Sequence, residues 1–109
     1  MTFRSLQHNF HDAGLVGVSI GPRREIELEI DLDPVWNETA RTVRVRFGGI
    51  SNFEQVKEFL GGLPSPPASG AYIAEIIGLQ YEGRKPYPVV LDLTDIGHIQ
   101  IESKHVTET

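Results

Sequence analysis

In the segment REIELEIDL, which begins at Arg24, acidic and apolar side chains alternate strictly from Glu25 to Leu32. A period of two predicts a β-strand with one buried and one solvated face, because successive side chains point to opposite sides of a sheet. A strand of this kind needs a partner that continues both faces. The segment therefore commits the chain to a sheet.

The partner is the second alternating segment, RTVRVRF, which follows the turn-forming residues DPVWNETA. In an antiparallel hairpin, only a register that keeps both apolar sets on one face is acceptable. That register predicts these core-facing pairs: Leu32 with Arg41, Ile30 with Val43, Leu28 with Val45 and Ile26 with Phe47. It also predicts two pairs on the solvated face: Glu29 with Arg44 and Glu27 with Arg46. Such pairs contribute about 0.2–1 kcal/mol each, so they select the register more than they stabilise the sheet. The acidic row is interpreted as a charge-paired solvated face rather than a cation-binding comb.

A shorter strand is predicted upstream at 15–20, and an amphipathic helix downstream at about 52–60. Ser51 is expected to be the N-cap, with Glu54 completing a capping box. Gly61 stands where a left-handed C-terminal cap is expected. The apolar stripe of the helix consists of Phe53, Val56 and Leu60, joined by Phe59.

The last third of the chain follows a loop at 61–71 that is rich in Pro, Gly and Ser and cannot continue a helix or a central strand. Residues 72–82 fit either a helix or a strand. The β-branched and aromatic content favours a strand, which makes Glu75 a candidate half-buried carboxylate. The segment YPVVLDLTDIGHIQIES predicts a hairpin with Gly97 in the left-handed conformation. Its expected core pairs are Leu93 with Ile99 and Leu91 with Ile101.

These elements predict an α+β fold in which a mainly antiparallel sheet of five to six strands carries the helix on its inner face. The 109 residues suit a single domain spanning 1–109. A small open sheet leaves its edges exposed, so a homodimer formed by edge-strand pairing is one expectation.

Composition excludes several classes of function. A net charge of −5 disfavours a nucleic-acid partner, because phosphate contacts need clustered Lys and Arg. Without cysteine there is neither a disulfide framework nor a thiolate metal site. The sequence has no signal-peptide apolar region and no apolar run near the roughly 18 residues of a membrane span. We therefore expect a cytoplasmic protein with no membrane partner.

The segment LQHNFHDAGLVGV carries the only concentrated set of chemically active side chains, His8, His11 and Asp12. Imidazole and carboxylate groups bind zinc, and His98 or His105 would supply a further ligand if the last strand lay beside the first. However, residues three apart face opposite sides of an extended strand. The competing interpretation is a strand entry in which His11 and Asp12 bond to backbone, with acid-base catalysis as a third alternative.

Other motifs of catalysis are absent. The sequence contains no G-x-S-x-G nucleophile motif and no phosphate loop with its lysine, so no cofactor is expected. Two segments offer candidate contacts for a protein partner, although an aromatic tucked over the core edge and an ordinary exposed turn are the respective alternatives. The candidate contact residues are Trp36, Tyr81, Arg84 and Tyr87.

The order of an early HDA, the segment VRVRFGGISNFEQVKEFL and a terminal GHIQIESKHV resembles small bacterial domains of uncharacterised or immunity-protein type. The resemblance implies a binding role, such as neutralising a partner protein, and transfers no catalytic residues. It leaves His11 and Asp12 as structural markers. The expected function is accordingly a non-enzymatic interaction domain. The alternative is a small metal-dependent enzyme built on His8, His11 and Asp12, with His98 or Glu75 in support.

Overall fold

A computed structural model describes residues 10–35, 37, 42–64, 72–81 and 87–109, with the main chain alone for residues 80, 81 and 87. Within these residues the chain forms seven strands and one helix. In chain order they are β1 (Ala13–Gly21), β2 (Glu25–Asp31), β3 (Thr42–Gly48), α1 (Phe53–Gly61), β4 (Ala74–Tyr81), β5 (Tyr87–Leu93), β6 (Gly97–Ser103) and β7 (His105–Glu108). This is the predicted α+β fold, with one strand more than the five to six expected.

All seven strands belong to one antiparallel sheet with the order β6-β5-β4-β1-β2-β3-β7. The strands at the two ends of this order, β6 and β7, are joined in the chain by Lys104 alone. The sheet must therefore curl until its ends meet, which differs from the open sheet that we expected. Pairing of β7 with β3 shortens the strand edges that an open sheet would leave exposed.

The closure is made at Lys104, where a single bent strand changes partner. Ser103 is the last residue to pair with β5, at Tyr87, and His105 is the first to pair with β3, at Gly48. The backbone N–H of Lys104 donates to the carbonyl oxygen of Gly48 at 3.0 Å. Gly49 beside it has a φ of +61°, a conformation that glycine adopts at least cost, and a Cβ there would lie 3.1 Å from the Lys104 side chain.

Every strand from β1 to β6 contributes buried apolar side chains to the interior of the curled sheet, and β7 adds Val106 at its margin. The helix packs against β6 and buries Val56 and Leu60 in the same core. The strand interpretation of residues 72–82 is confirmed by β4, which lies between β1 and β5. Glu75 on this strand is exposed, so the prediction of a half-buried carboxylate at this position was wrong.

The first hairpin has the predicted register. Its observed pairs include Ile30 with Val43, Leu28 with Val45 and Ile26 with Phe47, and both acid–arginine pairs lie opposite each other. Arg46 donates to Glu27 Oε1 at 3.1 Å. The predicted pair of Leu32 with Arg41 lies outside the described residues.

The helix termini differ from the predicted caps. The N-cap is Asn52 without a side-chain capping bond, because the Ser51 hydroxyl bonds instead to the carbonyl oxygen of Glu102 at 3.3 Å. Gly61 is the last helical residue, and the C-cap Gly62 has a right-handed φ of −85°. At the N-terminus the cause is that the chain at 51–52 is held by β6, so tertiary contacts replace the local capping box.

Asn52 joins the start of the helix to the edge of β6. Its side-chain amide donates to the carbonyl oxygen of Gln100 at 2.6 Å and accepts from the N–H of Glu102 at 3.0 Å. One side chain thus supplies the donor and the acceptor that a neighbouring strand would present. Because these backbone groups are satisfied, the strand edge beside the helix is protected.

The last hairpin has a different register from the one predicted. Leu93 pairs with Gly97 and Leu91 with Ile99, a shift of two residues that leaves the same faces buried. The left-handed residue of the turn is Asp95, with a φ of +61°, and Gly97 begins β6 with a φ of +126°. Alternation alone does not distinguish registers that differ by two, which is why the sequence prediction was wrong.

Ser103 is a buried polar residue whose hydroxyl has no hydrogen-bond partner within the described part of the chain. A buried hydroxyl left unpaired costs about 1–3 kcal/mol. We therefore expect Ser103→Ala to raise the free energy of unfolding by about 1 kcal/mol, measured by urea titration. Ser51→Ala is the matched control and should lower stability slightly, since that hydroxyl is bonded. A loss of stability in Ser103→Ala would contradict the assignment.

The described residues contain no helix long and apolar enough to cross a membrane.

Candidate functional site

Tyr72 lies across the outer surface of the sheet, on top of Gly14. The N–H of Ile73 donates to the carbonyl oxygen of Leu15 at 2.8 Å, which holds the chain entering β4 beside β1. A Cβ at Gly14 would overlap the Tyr72 ring, so this ring position requires glycine beneath it. The Tyr72 residue is nevertheless 48% exposed. The strand glycine thus creates a seat for an aromatic ring that still faces solvent.

Two carboxylates stand on either side of this ring. Gly14 pairs with Asp31 on β2 and with Glu75 on β4, so both acidic side chains share its outward face. Each carboxylate accepts a hydrogen bond from a threonine on its far side: Thr42 donates to Asp31 Oδ1, and Thr94 donates to Glu75 Oε1 at 2.9 Å. We call the set Asp31, Thr42, Tyr72, Glu75 and Thr94, with Gly14 beneath it, the Tyr72 surface.

An apolar residue extends this surface along β4. Ile77 is 42% exposed and lies at the point where the β4–β5 register shifts between Ile76 and Gly78. A β-bulge of this kind re-aims side chains and commonly stands beside functional sites. The Tyr72 surface therefore combines an aromatic ring, flanking carboxylates and a neighbouring aliphatic side chain. Of these groups, aromatic side chains are enriched at protein interfaces.

His11 is attached to the same bulge. Its Nδ1 lies 2.9 Å from the carbonyl oxygen of Ile77, and because a carbonyl only accepts, Nδ1 carries the donated proton. Its Nε2 lies 3.6 Å from Asp12 Oδ1. Asp12 has a φ of +61° in a turn closed by a hydrogen bond from the N–H of Ala13 to the carbonyl oxygen of Phe10. The His-Asp pair thus contributes to the strand entry, with His11 bonded to the backbone of β4.

The candidate metal ligands are not brought together within the described residues. His98 pairs with Asp92 on β5, and Asp92 pairs with Gly78 on β4, so a whole strand separates His98 from the bulge that His11 contacts. Among the described residues no group of three or more His, Asp or Glu side chains is placed to share a metal ion. His8 lies outside the described residues, and the metal site stays a prediction.

All four candidate partner contacts have side chains outside the described part of the chain. Trp36 and Arg84 are outside the described residues. Tyr81 is the last residue of β4 and Tyr87 the first of β5, at adjacent strand ends.

Comparison of the chain with protein-family models, curated proteins and solved structures found no match.

Sequence patterning overlooked the Tyr72 surface for an identifiable reason. Gly14 stands directly after Asp12 and Ala13, in a sequence typical of a turn, whereas in the structure it lies within β1. A glycine inside a strand indicates that another group approaches the backbone closely, and Gly14 could have been interpreted in this way from the sequence. The approaching group, Tyr72, is 58 positions further along the chain, so no local pattern connects the two.

Proposed function

We propose that this protein is a non-enzymatic binding domain that contacts a basic segment of a partner protein through the Tyr72 surface. The observation that carries the proposal is the half-exposed Tyr72 ring, seated on Gly14 between two carboxylates. Exposed aromatic rings fixed on a rigid scaffold supply much of the energy at protein interfaces.

The charge of the chain supports a basic partner. The net charge is −5, and Asp31 of the Tyr72 surface ends an acidic row on the outer face of β2 in which Glu27 and Glu29 lie opposite arginines while Asp31 lies opposite a threonine. Complementary charge favours association with a basic surface and disfavours an acidic one. The row consists of Glu25, Glu27, Glu29 and Asp31.

The resemblance to domains of immunity-protein type agrees with this proposal, because such domains act by binding a partner protein. Self-association through sheet edges stays a separate prediction, now less favoured because the sheet is closed at Lys104. Neither role requires a bound cofactor or metal.

The proposal is tested by selecting binders from a random peptide display library on the purified protein. We expect enriched peptides to be rich in Arg and Lys and to contain apolar residues. We further expect Tyr72→Ser to weaken their binding by about tenfold or more, the loss typical of a central aromatic anchor. The affinities are measured by fluorescence anisotropy.

Val35→Ser is the matched control, because Val35 is 78% exposed and lies in the loop after β2. This variant should bind the selected peptides as the parent protein does. Thermal unfolding should show that Tyr72→Ser remains folded, since the Tyr72 side chain is half-exposed. Equal binding by Tyr72→Ser and the parent protein, or enrichment of acidic peptides, would reject the proposal.

A further inference from the structure

We propose that the Tyr72 surface seats the guanidinium group of one arginine side chain of the partner, with the Tyr72 ring beneath it and the carboxylates of Asp31 and Glu75 at its sides. This inference rests on the proposed function and specifies the chemical group that is recognised. It follows from the placement of one ring and two anchored carboxylates.

The two acidic residues are placed on either side of the ring. Asp31 and Glu75 are each directly opposite Gly14, one on either neighbouring strand. Directly opposite residues in antiparallel strands are about 4.5–5.5 Å apart at Cα, so Asp31 and Glu75 start from backbone positions on either side of Gly14 and of the ring above it. A ligand that stacks on the ring therefore has one acidic residue on either side of it.

Threonine hydroxyls hold both carboxylates in place. The hydroxyl of Thr42 donates to Asp31 Oδ1, and the hydroxyl of Thr94 donates to Glu75 Oε1. A carboxylate has about four lone-pair positions, so each group retains the capacity to accept further hydrogen bonds. The threonines therefore limit the rotation of both side chains, which lowers the entropic cost of binding a donor between them.

The shape of the site distinguishes the guanidinium group of arginine from the ammonium group of lysine. Guanidinium is planar, stacks on aromatic faces and carries five N–H donors in its plane, so it can lie on the ring while donating to both sides. The lysine ammonium is a compact and strongly hydrated charge without a flat face. The combination of a ring below and acceptors on two opposite sides therefore favours arginine over lysine.

The test uses three acetylated and amidated Gly-Xaa-Gly peptides in which Xaa is arginine, lysine or citrulline, the neutral isostere of arginine. Binding is followed by two-dimensional NMR of the isotope-labelled protein. We expect the arginine peptide to bind most tightly, the lysine peptide more weakly, and the citrulline peptide to give no saturable shift. The shifts should centre on residues 14, 31, 72 and 75.

Variants of the protein separate the parts of the site. Removing the ring in Tyr72→Leu should weaken the arginine peptide by about two- to five-fold, the value of an exposed cation–π contact, and Tyr72→Phe should retain it. Asp31→Asn and Glu75→Gln should each weaken the arginine peptide relative to the lysine peptide. Glu29→Gln is the matched control, because Glu29 lies on the same face of β2 but opposite Gly17 and Arg44.

Equal affinity for the arginine and citrulline peptides would overturn the inference, as would a loss in Glu29→Gln as large as that in Asp31→Asn. This failure is distinguishable from failure of the proposed function. If display-selected peptides depend on Tyr72 but tolerate citrulline in place of every arginine, the binding domain stands and the guanidinium seat is wrong. If the selected peptides do not depend on Tyr72, the proposed function itself is wrong.

Discussion

Phe47→Ala is expected to lower the free energy of unfolding by about 3–5 kcal/mol, the usual cost of deleting a large aromatic side chain from a packed core. Phe47 is fully buried and pairs with Ile26 on β2 and with Val106 on β7. Its ring therefore lies where the closing strand meets the first hairpin. Domains of this size are stable by about 5–15 kcal/mol, so the variant should be close to the threshold of unfolding at 25 °C.

The measurement is urea unfolding followed by circular dichroism, with Phe59→Ala as the matched control. Phe59 is in the helix and only partly buried, so removing the same ring there should cost about half as much or less. Equal losses in the two variants would contradict the central position of Phe47 in the core. A changed slope with urea, rather than a changed midpoint, would show an effect on compactness instead.

A chain that ends at Lys104, and so lacks β7, is expected to lose roughly 3 kcal/mol or more of stability and to self-associate. The loss has two sources: the ladder between β7 and β3, at about 0.5–1.5 kcal/mol for each hydrogen bond, and the packing of Val106 against the core. Removal of β7 also exposes the hydrogen-bonding edge of β3. An unprotected edge pairs with other chains.

Size-exclusion chromatography with light scattering at two protein concentrations measures the self-association, and thermal unfolding measures the stability. A chain that ends at Glu108 is the matched control, because it retains the whole of β7 and removes only Thr109, whose N–H donates to the carbonyl oxygen of Arg44 at 2.8 Å. A truncated chain that remains monomeric with unchanged stability would show that β7 does not close the sheet.

The first hairpin could be predicted residue by residue because two independent constraints agree there. The alternation of β2 and β3 fixes which faces are buried, and the acid–arginine pairs select among the registers that remain. The hairpin of β5 and β6 lacks the second constraint. It has no acid–arginine pairs that would select between registers two residues apart. The observed register is instead the one that fits the turn at Asp95.

The closure of the sheet could not be read from the sequence. Residues 97–103 and 105–108 both form strands, but a pattern of alternation shows that a strand exists without showing which neighbours it has. The partner of β7 is β3, more than 50 residues earlier in the chain. The same separation hid the contacts of Asn52 with β6 and made the local capping signal misleading.

The candidate site was predicted less well than the fold. The sequence drew attention to histidines and to exposed loop aromatics, which are conspicuous residue types. The Tyr72 surface instead depends on residues that are far apart in the chain: a glycine, two carboxylates and a threonine on four different strands, a second threonine just after β5, and a tyrosine two residues before β4. Such a set becomes visible only when the strand order is known.

The bend at Lys104 has an evolutionary consequence for the length of the last strand. Up to Ser103 the odd-numbered residues face inward, and after the bend Val106 does so. At Lys104, therefore, the inward-facing positions change from odd-numbered to even-numbered residues. Deletion or insertion of one residue on either side of Lys104 would point the side chains of the following segment to the opposite face of the sheet. Deletion or insertion of two residues would leave them on the same face. Length variants of this strand that remain folded should accordingly differ by even numbers of residues.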